Sequence, residues 1–341
     1  MKKLSVFTMA AVFALLFVLP YFCGVNTGQT KSVTLNYANF PPAPTFPCVQ
    51  MERWKKQVEE KTNNSIKINT FPGGTLLGAK GMMDGVIAGQ ADIGCLCMAY
   101  QPGRFTVTNA VSLPLGIPDS ETGSLVLFDL YKKYKPVSFS KVKVLTMFTS
   151  APANIMCKKP VRTLADIKDV DLRASGGAAA ILRIWGANQI GMPMSATPEA
   201  LQKGVVQGLF SSLEVMKDLK FAEDCKFVTM TNTVVYPFAV VMNLNTWKSL
   251  PENTKNIMDN LAENQAKWTG NYMDSHVRDA IAWSKKVHRV EFIKLDKKNA
   301  VKWNVVLSPI VEKWIVKADK KGFNGKEIVS SIKEMIAEHT K

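Results

Sequence analysis

Histidines, cysteines and glycine-rich loops do most of the chemistry in proteins, and this 341-residue chain uses them sparingly. Its three histidines, His276, His288 and His339, all fall in the C-terminal part. No Gly-x-Ser-x-Gly elbow presents a serine nucleophile, which argues against an α/β-hydrolase. No His-Glu-x-x-His helix is present to hold a catalytic zinc ion. Gly74 to Lys80 (GTLLGAK) is one residue short of a phosphate-cradling loop and lacks the Ser or Thr that would hold magnesium. Gly73-Gly74 and Gly176-Gly177 lack the G-x-G-x-x-G spacing that lets a backbone approach a pyrophosphate. Beyond Cys23 there are five cysteines, Cys48, Cys95, Cys97, Cys157 and Cys225, and an odd number cannot all pair internally. Cys95-Leu96-Cys97 has no second ligand pair at zinc spacing, and i and i+2 share one face of a strand. Buried free thiols are the ordinary reading, and one disulfide stays open. No metal or cofactor is expected.

The composition excludes other classes. Hydrophobic residues are 47 % and charged residues 21 %, so the chain can fold around a large core, and its length calls for two lobes. Forty-three Lys and Arg against 28 Asp and Glu give a formal charge of +15. The excess concentrates in residues 281–341, with 14 basic against 7 acidic residues. That density reads as a solvated helical face, or as a field that draws anionic solutes or an acidic membrane partner. It lacks the Arg/Lys runs interleaved with aromatics of a nucleic-acid surface, and none is expected.

The N-terminus supplies an address. Lys2 and Lys3 precede an uncharged apolar run from Leu4 to Phe22, the pattern of an export signal over residues 1–28. Cleavage is expected within Gly24–Gln29, with a retained anchor or a lipid on Cys23 as alternatives. Periplasmic residence follows.

The elements that must position any site follow from periodicity. Val33–Asn39, Ser65–Thr70 and Ala91–Met98 read as strands. Between them, Cys48–Lys61 carries Met51, Trp54 and Val58 on one helical stripe, and Leu76–Ala88 reads as a second helix. This alternation implies right-handed parallel crossovers. Lys143–Phe148 is read as opening a second such region. It continues through a strand at Asp171–Ala174, a helix at Ala178–Ala187, a helix from Pro198 capped by Thr197, and strands at Val205–Ser212 and Pro237–Leu244. A long amphipathic helix spans Pro251 to about Lys286, followed by a strand at Val290–Leu295. Doubly wound sheets bind ligands at strand ends, which nominates Asn39, Phe40, Tyr100, Gln101 and Arg104. Phe148, Trp185 and Tyr236 are aromatic residues able to stack on an apolar ligand or simply to fill the core. An exported two-lobed chain without catalytic signatures suggests solute binding between lobes.

Several stretches, in order, resemble the DctP-type solute-binding proteins of tripartite ATP-independent periplasmic (TRAP) transporters. They include Gly74-x-x-Leu77-Gly78 with Gly85-Val86-Ile87-x-Gly89-x-x-Asp92-Ile93, then Thr163-Leu164-Ala165-Asp166-Ile167 with Leu172-Arg173. Met192-Pro193-Met194 follows, then Glu199 through Gly208 (EALQKGVVQG), and finally Val241-Met242-Asn243 with Trp247 and Leu250-Pro251. The match covers about residues 32–310. The resemblance implies a two-lobed periplasmic solute-binding α/β fold, with a mixed sheet in each lobe, a cleft between lobes and a long bracing helix. It implies lobe I over 32–150 plus about 238–275, lobe II over 151–237 plus about 276–310, and a C-terminal helical segment over 311–341. It further implies a monomeric, non-enzymatic receptor that hands a small organic anion to membrane TRAP permease subunits.

The family's ligand-binding arginine falls on Arg173, and a planar guanidinium suits a carboxylate through two parallel hydrogen bonds. Ala153 stands where some members carry a second arginine, with Asn154 beside it. The family's V-D-G-x-E-N reads Val206-Gln207-Gly208-Leu209-Phe210-Ser211, so Ser211 replaces the contacting Asn and Phe210 replaces a carboxylate. These departures favour a monocarboxylate or sulfonate with an apolar or aromatic part. The alternatives are a C4-dicarboxylate receptor or a secreted enzyme of unrecognised type.

Overall fold

The apolar segments become strands where they can be covered on both faces. In the computed structural model, which describes residues 32–340, the chain opens with β1 (Val33–Asn39), α1 (Phe46–Lys61), β2 (Ile66–Phe71), α2 (Met82–Ile87) and β3 (Ile93–Cys97). It continues through α3 (Ser120–Tyr134), β4 (Val142–Thr149), β5 (Asn154–Cys157), β6 (Asp171–Arg173), α4 (Gly177–Trp185) and β7 (Asn188–Ile190). Next come α5 (Thr197–Gln202), β8 (Gly208–Ser211), α6 (Val215–Asp218), β9 (Phe227–Met230) and β10 (Pro237–Asn243). The chain ends with α7 (Leu244–Ser249), α8 (Glu252–His288), β11 (Glu291–Lys294), α9 (Lys297–Val305), α10 (Ser308–Asp319) and α11 (Gly325–His339). The expected export signal, its cleavage region and Cys23 lie outside the described residues. No described helix is long and apolar enough to cross a membrane.

The strands form two mixed sheets, in the orders β2-β1-β3-β10-β4 and β11-β9-β5-β8-β6-β7. In the first, β1 runs parallel to β2 and β3, while β10 runs antiparallel to β3 and β4. In the second, β5 runs antiparallel to β8 and β9, and the other pairs are parallel. This is the two-lobed α/β architecture expected from the sequence, with one sheet in each lobe. The segment around Lys143–Phe148, expected to open the second region, instead completes the first sheet as β4 by pairing with β10.

Three stretches carry the chain between the sheets, β4 to β5, β9 to β10, and β10 to β11 through α7 and α8, and the first two lie side by side. Ser150 N donates to Tyr236 O at 2.9 Å, Ala153 N to Val234 O at 2.7 Å, and Thr233 N to Ala153 O at 3.2 Å. Ser112 Oγ adds a bond to Val235 O at 2.8 Å.

Helix α1 buries the expected stripe of Met51, Trp54 and Val58. Trp54 meets Tyr37 of β1 edge-on at 5.9 Å. The buried Gln50 joins Tyr37 to Gln265 of α8, so a polar thread crosses the core with its amide satisfied. Helix α8 has 37 residues, roughly 55 Å at 1.5 Å per residue. It packs on α1, α3 and β4 of the first lobe and on α6 of the second. Asp274 of α8 accepts from Ser120 N and Glu121 N, the free amides at the start of α3. Gly270, one turn earlier, permits that approach. A Cβ there would lie 2.5 Å from Glu121 Cα and 2.6 Å from Ser120 O.

Three local expectations are corrected. Leu76–Ala88 is helical only from Met82, because Gly78 and Gly81 keep the preceding turns irregular. Thr197 is the first residue of α5 rather than its cap, and its hydroxyl turns back to Pro193 O. The strand at Val205–Ser212 shrinks to Gly208–Ser211.

Replacing Gly270 by Ala adds helix propensity but drives Cβ into backbone that cannot yield. We expect a net loss of about 1–3 kcal/mol in urea unfolding, and more for Gly270→Val. A stabilised Gly270→Ala protein would contradict the close packing of α8 on α3.

Candidate functional site

Arg173 closes β6, and its side chain is 1 % exposed. Met192 O accepts from Nε at 3.0 Å and from Nη2 at 2.8 Å. Nη2 also reaches Ser175 Oγ at 3.2 Å and Tyr100 Oη at 3.4 Å. Tyr100 follows β3 of the first sheet, so the two lobes meet at this guanidinium. Among the described residues, Nη1 makes no hydrogen bond and no carboxylate lies within 4.0 Å of Arg173. Burying a cation without an anion is costly, so this geometry waits for one.

Arg173 lines a cavity of about 60 Å³ between the lobes. The first lobe contributes Phe40, Pro41, Thr45, Phe46, Cys97 and Tyr100, together with Phe238 of β10. The second contributes Ser211, Ser212, Glu214 and Asp218, while Tyr236 and Ser150 come from the connecting stretches. Phe238 stacks on Phe40 at 6.3 Å and meets Phe46 edge-on at 5.3 Å, and Tyr100 meets Phe40 edge-on at 5.5 Å. These rings form an apolar box beside the guanidinium. Arg173 is the one cation among the described residues lining it. Sites for drug-sized ligands measure roughly 300–1,000 Å³, so the lobes must part to admit a solute.

Of the residues nominated from sequence, Arg173, Phe40, Tyr100 and Ser211 come together here. The others point elsewhere. Asn39 is fully buried and donates to Pro47 O of α1 at 3.0 Å. Gln101 donates to Lys80 O, and Arg104 pairs with Asp84 at 2.6 Å. Asn154 accepts from Thr231 N and Asn232 N, bracing the stretch before β10. Phe210 packs against Trp185 at 5.3 Å, because neighbouring strand residues face opposite ways and Ser211 takes the cleft side. Of the aromatic residues considered for stacking, Tyr236 lines the cavity and Phe148 and Trp185 do not. Sequence reading missed Phe46, Phe238, Ser212, Glu214 and Asp218. Phe46 falls in a proline-rich stretch that reads as a turn, Phe238 in a run that reads as a buried strand, and no spacing marked the rest.

Gly176 and Gly177 also find their use here. Gly176 has φ +57°, and a Cβ on it would lie 2.8 Å from Ala99 Cβ. A Cβ on Gly177 would lie 2.7 Å from Ser112 O. Two bare backbones thus let the start of α4 close against the first lobe.

The five described cysteines are all buried and unpaired. Burial pushes the Cys48 and Cys97 thiols up to about 12, so neither supplies a thiolate at neutral pH. Among the described residues no group of three His, Cys, Asp or Glu is placed to hold a metal ion.

Comparison with known proteins bears on this geometry. The family model for DctP, bacterial extracellular solute-binding protein, family 7, matches residues 41–317. A TRAP periplasmic solute-binding protein of Desulfovibrio salexigens is 52 % identical, with a TM-score of 0.81 over 90 % of this chain and 96 % of that one. It was solved as an open complex with the C-terminus of a symmetry mate in its ligand-binding site. A TRAP solute-binding protein from an unidentified marine microbe, specific for aromatic acid ligands and bound to metahydroxyphenylacetate, is 26 % identical. Its TM-score is 0.87 over 91 % of this chain and 100 % of its own. The 2,3-diketo-L-gulonate-binding periplasmic protein YiaO of Escherichia coli is 24 % identical over 200 residues, 57 % of this chain and 61 % of that protein.

Three groups near the lobe contacts have raised pKa values. Burial pushes Glu214 up to about 7 and Asp274 up to about 6. The hydrogen bond to Asp218 raises His276. A raised pKa gives stability that is complete below the unfolded value and lost as pH rises through the folded one. All three lower stability as pH rises, Asp274 up to about pH 6, Glu214 up to about pH 7, and His276 from about 6.5 upward. The ligand-free protein should therefore melt progressively lower as pH rises through these values, and Glu214→Gln should flatten the slope. A melting temperature that rises with pH in a fluorescence scan would refute this.

Proposed function

Because the chain belongs to the DctP family of bacterial extracellular solute-binding proteins, we propose that it captures a small organic monoanion between its lobes and delivers it to a TRAP permease. The observation that carries this reading is the buried Arg173 guanidinium, which lines the interlobe cavity with no carboxylate partner. A ligand carboxylate takes the Nη1–Nη2 edge, bonding to the free Nη1 and drawing Nη2 from its longer contacts with Ser175 and Tyr100. Tyr100 Oη already accepts from Arg173 and Met194 N, which leaves its own proton to donate. Ser211 lies within the same lining. Phe40, Phe46, Tyr236 and Phe238 enclose the apolar remainder of the solute, and Ala153, tied into the connecting stretches, offers no second cation.

The protein is periplasmic, as its family is, and residues 1–28 serve as its export signal. Lobe I comprises 32–150 with about 238–275, lobe II comprises 151–237 with about 276–310, and 311–341 form a C-terminal helical segment. The lobes turn about the paired connecting stretches while α8 braces both.

The aromatic-acid ligand of the marine relative favours an aromatic monocarboxylate, and a dicarboxylate is disfavoured on electrostatic grounds. A second ligand carboxylate finds no basic partner in the lining and meets Glu214 and Asp218 instead. Arg104, the nearest alternative considered from sequence, is engaged by Asp84.

Two measurements test this. Arg173→Ala should fold normally and lose roughly 2–5 kcal/mol of affinity in calorimetry, and Arg173→Lys should also bind poorly because an ammonium lacks the fork. Unchanged affinity in Arg173→Ala would remove the anchor. In competition, aromatic monocarboxylates should displace succinate, malate and fumarate. Succinate winning at equal concentration would overturn the monoanion reading.

A further inference from the structure

The same cavity has a second polar region that the carboxylate anchor does not use. Glu214 is 4 % exposed and Ser212 is 1 % exposed. The side chain of Asp218 is 4 % exposed. Glu214 Oε2, Asp218 Oδ2 and Ser212 Oγ are buried without a hydrogen-bond partner, and all three residues line the cavity. The other Asp218 oxygen is taken by His276 Nε2 at 2.8 Å. Neither carboxylate approaches Arg173 within ion-pair distance, so the anionic region and the cation share one cavity without neutralising each other.

Carboxylate oxygens only accept hydrogen bonds when ionised. The Ser212 hydroxyl can turn its proton toward Glu214, but the two acids still present more buried acceptor oxygens than the protein has donors for, and they call for a donor from outside it. A second carboxylate on the solute would meet acceptors, and a purely apolar end would leave them unsatisfied. We infer that Ser212, Glu214 and Asp218 form a donor-reading subsite, and that the solute carries a hydrogen-bond donor, a hydroxyl or an ammonium, at the end away from its carboxylate. This rests on Arg173 as the carboxylate anchor.

The groups facing Glu214 are Asp218, His276 and Ser212, with Lys217 acting on His276. Glu214 becomes a pure acceptor as it ionises, so preference for a donor should sharpen as pH rises from 6 to 8.

The test is calorimetry on the purified protein with matched pairs. Benzoate, 3-hydroxybenzoate, 3-methoxybenzoate and 3-(aminomethyl)benzoate form one series. Phenylacetate and 3-hydroxyphenylacetate form another. The donor-bearing member should bind about tenfold to a hundredfold more tightly than its parent, the range of a hydrogen bond to a charged group. The methoxy compound, which cannot donate, should gain nothing. Glu214→Met, with a cooperative melt, should bring the ratio between donor-bearing and parent acids to within about threefold, whatever the absolute affinity of either becomes. A hydroxyl advantage kept in Glu214→Gln supports a neutral acceptor, and an ammonium advantage lost there supports an ion pair. Equal affinities across the wild-type series, with Arg173→Ala abolishing all of them, would overturn the subsite and leave the anchor standing. Arg173→Ala binding like the wild type, or no binder in either series, would overturn both.

Discussion

A guanidinium buried to 1 % exposure without a carboxylate against it is the constraint around which this molecule is organised. Its Nε edge is held by Met192 O within the second lobe, and Tyr100 reaches it from the first. Its surroundings are therefore complete only when the lobes are together. Other cations of the chain are paired at the surface, as Arg104 is with Asp84. If Arg173 is the anchor proposed above, an entering anion offsets the cost of burial, and ligand binding and lobe closure draw on one interaction.

The remaining structure makes that interaction possible. The largest core cluster runs from the first sheet, with Trp54, Phe148 and Met51 fully buried, into the second through Ile155, Leu172 and Phe210, and a smaller cluster around Leu209 and Val228 fills the far side of the second. Helix α8 is tied to α1 through Gln265 and Gln50, to α3 through Asp274, and to α6 through His276 and Asp218. The cleft edges, by contrast, use small residues. Gly176 and Gly177 allow contacts with Ala99 and Ser112 that any side chain would obstruct. Rigid bodies joined by a thin, close-fitting seam are what a closing receptor requires.

Much of the fold was legible because apolar runs as strong as Ile93–Cys97 and Pro237–Asn243 admit few other readings. The long helix was legible from sustained periodicity. The place of β4 was not, because its partner β10 arrives some ninety residues later and local pattern carries no information about non-local pairing. The site was legible in part. Arg173 emerged from a family segment, and Phe40 and Tyr100 from the ends of strands. Asn39 failed the same argument because its amide found Pro47 O on α1. Phe210 failed because strand alternation gave the cleft to Ser211. Glu214 and Asp218 carried no signal in the sequence. Only the turn after β8 reveals that they face inward.

The two connecting stretches, bonded at Ser150 to Tyr236 and at Ala153 to Val234, leave the lobes little freedom to shear or slide independently. A bonded two-stranded ribbon resists displacement along its length and yields most readily to bending across its face. The molecule's large motion is thereby reduced to a single angle. Opening or closing the cavity of about 60 Å³ along that angle would change the separation of two broad surfaces. A membrane partner gripping both surfaces needs no contact with the solute. It can read occupancy as one bit, and by forcing the same angle open it can erase it.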